Sequence, residues 1–271
     1  PLNRPNMLDM RGEPDSCGIW APCLSNADGR FWLCYTDVRR FDGNFKDTHN
    51  YLTTCSTIDG HWSDPTYLNS SGFDPSLFHD DDGRKWYMNM VWDHRPDRSF
   101  FKGIVLQEYS AENHELLGEP QDIFPGTELD FTEGPHLYKY DGYYYLMTAE
   151  GGTGYGHAVT MARSRSLHGP YDADPSGPVV TARDDPDWPL QRNGHGDFVE
   201  SEDGEFYLVH LCGRPLNGTR FCTLGRETAI QRLRKTDDGW FRLQGGGHLP
   251  ELAIDPPALP LVAARAIACS P

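Results

Sequence analysis

The chain has no long apolar run and few basic residues, and each absence excludes a class of function. No stretch of about 18 apolar residues occurs, so no segment is patterned to cross a membrane as a helix. Lysine and arginine total 24 against 40 aspartates and glutamates, a formal net charge of −16 over 271 residues. Nucleic acid and an anionic membrane surface both need a basic face, so neither is expected as a partner. Cysteine offers no framework either. The seven (Cys17, Cys23, Cys34, Cys55, Cys212, Cys222 and Cys269) are odd in number and include no CxxC pair, which argues against a zinc knuckle or a closed set of disulfides. The first residues lack the basic and apolar parts of a secretion signal. With thiols that suit a reducing compartment, this leads to the expectation of a cytoplasmic location.

What is abundant points to β structure. Thirteen Tyr, 13 Phe and 7 Trp stand beside 28 Gly and 21 Pro, a mixture suited to short aromatic strands and tight turns. One unit recurs at intervals of roughly sixty residues. An apolar strand carrying proline leads to an Asp-Gly turn, which is followed by an alternating aromatic strand. The copies run Trp20-Ala-Pro-Cys-Leu with Asp28-Gly29; Phe73-Asp-Pro-Ser-Leu-Phe with Asp82-Gly83; and Glu133-Gly-Pro-His-Leu with Asp141-Gly142. The fourth, Gly194-His-Gly-Asp-Phe-Val with Asp203-Gly204, lacks the proline. Asp-Gly suits a two-residue hairpin turn, which needs positive φ, and a third strand candidate follows each hairpin. Units of three or four antiparallel strands repeated about an axis are propeller blades. Their first strands would place Trp20, Asp74, Glu133 and His195 at equivalent positions facing a central channel.

Two of these four are carboxyls. Hydrolysis of a glycosidic bond needs a protonated carboxyl to assist the leaving oxygen and a second one to activate water or attack carbon. Asp74 and Glu133 are framed by apolar or small neighbours, where partial desolvation raises a carboxyl pKa.

The segments Gly18-Ile-Trp-Ala-Pro, Phe73-Asp-Pro-Ser-Leu-Phe, Thr132-Glu-Gly-Pro-His-Leu-Tyr-Lys, Gly194-His-Gly-Asp-Phe-Val-Glu, His210-Leu-Cys-Gly-Arg-Pro-Leu and Leu224-Gly-Arg-Glu-Thr-Ala-Ile-Gln together resemble the β-xylosidases of glycoside hydrolase family 43. The resemblance implies an all-β, five-bladed propeller and an inverting exo-β-1,4-xylosidase acting on xylo-oligosaccharides. It implies Glu133 as general acid, with Asp74 orienting it and tuning its pKa. Arg226 would bind sugar hydroxyls, a task suited to a fixed fork of donors; an ion pair with Glu227 is the alternative use. His195 matches a channel histidine. Trp20, Trp92 and Phe73 match the aromatic walls of a sugar pocket, since indole faces suit the C–H face of a pyranose. An α-L-arabinofuranosidase and a catalytically silent sugar-binding propeller are the alternatives.

The chain departs from the family pattern at both ends. The family's general base is an Asp in an Asn-Pro-Asp-Pro strand, and no such segment is present. The first blade is therefore expected to be incomplete, the activity of this chain weak, and its open edges prone to pairing, so that a homo-oligomer is one expectation. The propeller is expected over residues 1–257. Residues 258–271 form a tail, ending in an Ala-rich stretch, where relatives continue into a β-sandwich. No cofactor is required, since two carboxyls and water suffice; calcium near His195 stays an alternative without an oxygen-rich loop to support it.

Overall fold

The computed structural model describes residues 1–43 and 46–258, and these form an all-β molecule of four antiparallel sheets. The first sheet holds β1 (Gly18–Ala27), β2 (Arg30–Arg40), β3 (Asp47–Cys55) and β4 (Thr66–Asn69) in chain order. The second repeats this with β5 (Gly72–His79), β6 (Lys85–Trp92), β7 (Phe101–Ser110) and β8 (Glu115–Phe124). In the third, β9 (Glu133–Tyr140), β10 (Tyr143–Glu150) and β11 (Ala158–Ser164) are edged by two short pieces, β12 (Asp172–Ala173) and β13 (Val180–Thr181). The fourth contains β14 (Gln191–Glu200), β15 (Phe206–Gly213), β16 (Glu227–Lys235) and β17 (Phe241–Leu243). The expected third strands and the outer strand at Phe241 are all present. The tail expected over residues 258–271 lies outside the described residues from 259 onward.

The sheets pack face to face in order, as blades do. Trp32, Cys34 and Leu52 of the first meet Leu77 and Tyr87 of the second. Met88, Met90 and Ile104 meet Leu137, Leu146 and Ala162 of the third. Tyr145, Met147 and Val159 then meet Phe198, Leu208 and Phe241 of the fourth. Each Leu, Ile, Val, Met or Phe among them, fully buried, contributes on the order of 1.5–3 kcal/mol. The other face of the fourth sheet is open, with Val199, Val209 and Ile230 exposed. The described residues thus supply four blades; the expected fifth is not among them.

The proline of the repeat has a local meaning. In β1, Ala21 and Pro22 together oppose Tyr35; in β5, Asp74 and Pro75 oppose Asn89; in β9, Gly134 and Pro135 oppose Thr148; in β14, His195 and Gly196 oppose His210. Each is a bulge, two residues against one. The first residue of each is left-handed, with φ of 32° at Ala21, 56° at Asp74, 56° at Gly134 and 50° at His195. Equivalent positions are therefore Ala21, Asp74, Gly134 and His195. This corrects the expected alignment by one residue in two blades, because Trp20 and Glu133 precede the bulge.

The Asp-Gly turns are also of two kinds. Asp28-Gly29 and Asp141-Gly142 are two-residue hairpins with positive φ at both positions. The loops at Asp82-Gly83, Asp203-Gly204 and Asp238-Gly239 are longer, closed by Asp80 N to Arg84 O, Ser201 N to Glu205 O and Thr236 N to Trp240 O. There only the glycine is left-handed, the pattern of a turn ended by a glycine bulge.

Candidate active site

The bulges aim side chains into the middle of the ring. A cavity of about 800 Å³ there is lined by Trp20, Phe73, Asp74, Trp92, Glu133, His195 and Arg226, so it unites all seven residues singled out in the sequence. A second cavity of about 750 Å³ shares Asp74, His195 and Arg226 with it and opens between β1 and the uncovered face of the fourth sheet.

One wall is aromatic. The Trp20 and Phe73 rings meet edge to face with centroids 5.3 Å apart, and Phe73 and Trp92 centroids lie 4.9 Å apart. Trp20 Nε1 donates to Ser16 O at 3.0 Å and Trp92 Nε1 to Thr48 Oγ1 at 3.3 Å. With their N–H groups satisfied, the indoles are fixed in orientation and suit a sugar's apolar face.

The floor carries the carboxyls. One oxygen each of Asp74 and Glu133 and one ring nitrogen of His195 all lie within 4.8 Å of one another. Asp74 Oδ2 accepts from the Gly134 N–H at 3.0 Å and sits 3.7 Å from His195 Nδ1. A Cβ on Gly134 would come 2.9 Å from His195 Nε2, so glycine is needed there for close approach as well as for its positive φ. Burial pushes both carboxyls up, Asp74 to about 7 and Glu133 well above the usual carboxylate range. The Asp74 charge raises Glu133 further, whereas the Gly134 amide, His136 and Arg226 pull Asp74 back down. Two buried carboxyls this close share a proton, and these neighbours leave it on Glu133.

The histidines divide. Burial, His136, His157 and Arg226 hold His195 down to about 3, so it is neutral. Desolvation pulls the half-buried His136 down, yet Asp197 and Cys23 raise it to about 9, and its positive charge favours ionised Asp74. Glu227 pairs with Arg214 at 2.5 Å, so the alternative partner expected for Arg226 is taken, and the Arg226 guanidinium is free to face the cavity.

Several lining residues were not legible in the sequence. Lys46, whose Nζ bonds Gly43 O at 2.9 Å and lies 5.5 Å from the Trp92 ring, comes from a loop. Phe131 and Thr153 come from loops too, and nothing in the repeat marks them. Glu150 is fully buried outside the cavity, accepting from the Thr127 amide at 3.1 Å and from the Thr127 hydroxyl. An acid closing the apolar strand Tyr143–Glu150 was its only sequence signal.

Comparison with known proteins gives the family of the chain. The family model described as glycosyl hydrolases family 43 matches residues 1–241. The chain is 60% identical over 258 residues to a protein of Humicola insolens named xylosidase/arabinosidase 43B, covering 95% of this chain and 48% of that one. It is 53% identical over 268 residues to a β-xylosidase of Bacillus subtilis, covering 96% and 50%. Among solved structures, a xylan β-1,4-xylosidase from Bacillus halodurans superposes with a TM-score of 0.94 at 59% identity, covering 96% of this chain and 50% of that one. The chain thus spans about half the length of the relatives it matches.

Proposed function

The chain belongs to glycoside hydrolase family 43, and on that premise we propose that it is the propeller part of an inverting exo-β-1,4-xylosidase that removes xylose from xylo-oligosaccharides. The observation that carries this reading is the buried Asp74–Glu133 pair at the foot of an aromatic pocket sized for a sugar. Glu133, holding the shared proton, donates it to the bridging oxygen as the C–O bond breaks. Asp74 stays ionised, orients Glu133 and keeps its pKa high until the proton is delivered. The Arg226 fork and neutral His195 hold hydroxyls of the sugar, and Trp20, Phe73 and Trp92 cover its C–H face.

Inversion also needs a carboxylate to activate water from the opposite side. Among the described residues, Asp74 and Glu133 are the two acidic groups bordering the aromatic pocket. The base belongs instead to a fifth blade seated in the wedge between the first and fourth sheets, where Leu24, Val199, Val209 and Ile230 are exposed. Without that blade, turnover by the 271 residues is slow. No metal enters the scheme. Asp74, Glu133 and His195 offer a cation two carboxylates and an imidazole, which does not fit calcium, an ion that takes six to eight oxygens.

A second reading, α-L-arabinofuranosidase, is favoured by the double name of the Humicola relative. Rates on the 4-nitrophenyl β-D-xylopyranoside and α-L-arabinofuranoside decide between them. The xylosidase reading expects the xyloside to be preferred by the chain completed with a fifth blade; no release from it overturns the reading. Binding of xylobiose without turnover by the completed chain indicates a silent sugar-binding propeller.

A further inference from the structure

The segment leading into Glu133 is bent in a way that packing does not explain. Asp130 and Phe131 are consecutive left-handed residues, with φ of 60° and 55°. Phenylalanine gains nothing there that a glycine or asparagine would not, so the conformation is strained and is held by its surroundings. The hold is extensive. Asp130 Oδ1 accepts from the Phe131 amide at 2.8 Å and from Ser99 Oγ at 3.0 Å, while Asp130 O accepts from the Gly151 amide at 2.8 Å. Further back, the buried Glu150 carboxylate fixes Thr127 and, at 3.4 Å, takes the Thr132 hydroxyl.

The result of this bracing is an exposed ring. Phe131 is 45% exposed, whereas Phe73 on the pocket wall is 5% exposed and Glu133, two residues further along the chain, 6%. Its edge-on neighbour Phe101 lies 5.2 Å away at 78°, which steadies the ring, and Gly152 flanks it, where even a Cβ would meet the ring at an ordinary contact distance of 3.8 Å. A large apolar side chain held in strain so as to remain half in solvent at a pocket lip is arranged for contact with a ligand.

We propose that Phe131 is the platform for the leaving sugar, its ring taking the C–H face of the second, neutral pyranose of a β-1,4-linked oligosaccharide. This rests on the reading of Glu133 as the acid. The proton passes to the bridging oxygen, so the leaving sugar lies on the outer side of Glu133, where Phe131 forms the lip. The sugar that is removed is assigned to the wall formed by Trp20, Phe73 and Trp92, and Phe131 stands on the far side of Phe101 from that wall.

The test compares wild type with Phe131→Ala and Phe131→Tyr by calorimetry with xylose and with xylobiose, and by turnover of methyl β-xyloside and xylobiose in the chain completed with a fifth blade. Phe131→Ala is expected to weaken xylobiose binding about 10-fold, the size of an aromatic contact, and to leave xylose binding within about two-fold. Turnover of xylobiose falls in parallel while that of methyl β-xyloside, which needs the acid but carries no second ring, is unchanged. Phe131→Tyr keeps both. Phe131→Gly, which relieves the left-handed strain, is expected to hold or raise Tm while losing the same xylobiose affinity. Equal losses on xylose and xylobiose, an unchanged xylobiose affinity, or no xylobiose binding by wild type each overturn the platform. If no β-xyloside is turned over but the binding contrast between xylose and xylobiose persists, the platform stands and the xylosidase reading falls.

Discussion

A carboxylate oxygen of Asp74 and one of Glu133 lie within 4.8 Å of each other, both buried, on neighbouring blades joined by the Gly134 amide at 3.0 Å from Asp74. Two such groups do not both ionise near neutral pH. The asymmetry of their surroundings decides which one keeps the proton. Asp74 has the amide bond, the positively charged His136 and Arg226 in its favour, whereas Glu133 faces the Asp74 charge with Arg226 alone to offset it. The two carboxyls also differ in position at the bulge: Asp74 is the left-handed residue of its blade, and Glu133 stands one residue before that of its own, which on the proposed reading separates modulator from acid.

Removal of the acid should depend on the leaving group. In the chain completed with a fifth blade, Glu133→Ala is expected to lower kcat/KM on methyl β-xyloside by about 10²–10⁴-fold. An aryl xyloside with a highly acidic phenol, which leaves without a proton, should lose far less. Steady-state rates on the two substrates check this, and equal losses contradict the role.

The same carboxyl should cost stability as pH rises. Its folded pKa lies above the ordinary value of 4.5, so the folded state binds a proton that the unfolded state has released, and that contribution is complete below about pH 4 and lost as pH climbs toward the folded value. Asp74, raised from 3.8 to about 7, acts in the same direction. Glu133→Gln does not titrate, so its Tm should match wild type near pH 4 and exceed it near pH 8. Thermal melts across that range check the sign.

Gly134→Ala meets both a φ of +56° and a His195 nitrogen 2.9 Å from the new Cβ. It should destabilise the fold by about 1–3 kcal/mol and displace His195 from Asp74, so that activity falls by more than the loss of folded protein accounts for. Melting and active-site titration together separate the two effects.

Arg226 lowers the pKa of both carboxyls. Arg226→Ala should therefore move the basic limb of the kcat/KM profile of the completed chain, set by Glu133, to higher pH, as well as raising KM. Arg226→Lys should restore that limb but not KM, because an ammonium supplies the charge without the planar fork. A profile unmoved in Arg226→Ala shows that the guanidinium does not face the pair.

Most of the fold was legible because the repeat repeats: proline, Asp-Gly and aromatic alternation marked four hairpins, and the inner three strands of each sheet followed. Short edge strands such as β12 and β13 were not, since two residues carry no pattern. The alignment slipped by one at Trp20 and Glu133 because a bulge is a backbone event, visible in the sequence only as the proline that is its second residue in three blades. In the fourth blade His195-Gly196 makes the same bulge without proline, which is why His195 could be placed by motif but not by mechanism. The remaining pocket residues, Lys46, Phe131 and Thr153, sit on loops whose shape is set by distant partners such as Glu150 and Gly151, and no local pattern encodes those contacts.

The proton on Glu133 can be observed directly. A ¹³C NMR pH titration of the chain labelled at its glutamate carboxyls, assigned with Glu133→Gln, is predicted to show the Glu133 signal still in its protonated position at pH 7 and shifted to lower pKa when Asp74→Asn removes the neighbouring charge. A Glu133 signal that titrates near 4.5 in wild type, unaffected by Asp74→Asn, would contradict the assignment of Glu133 as the proton donor.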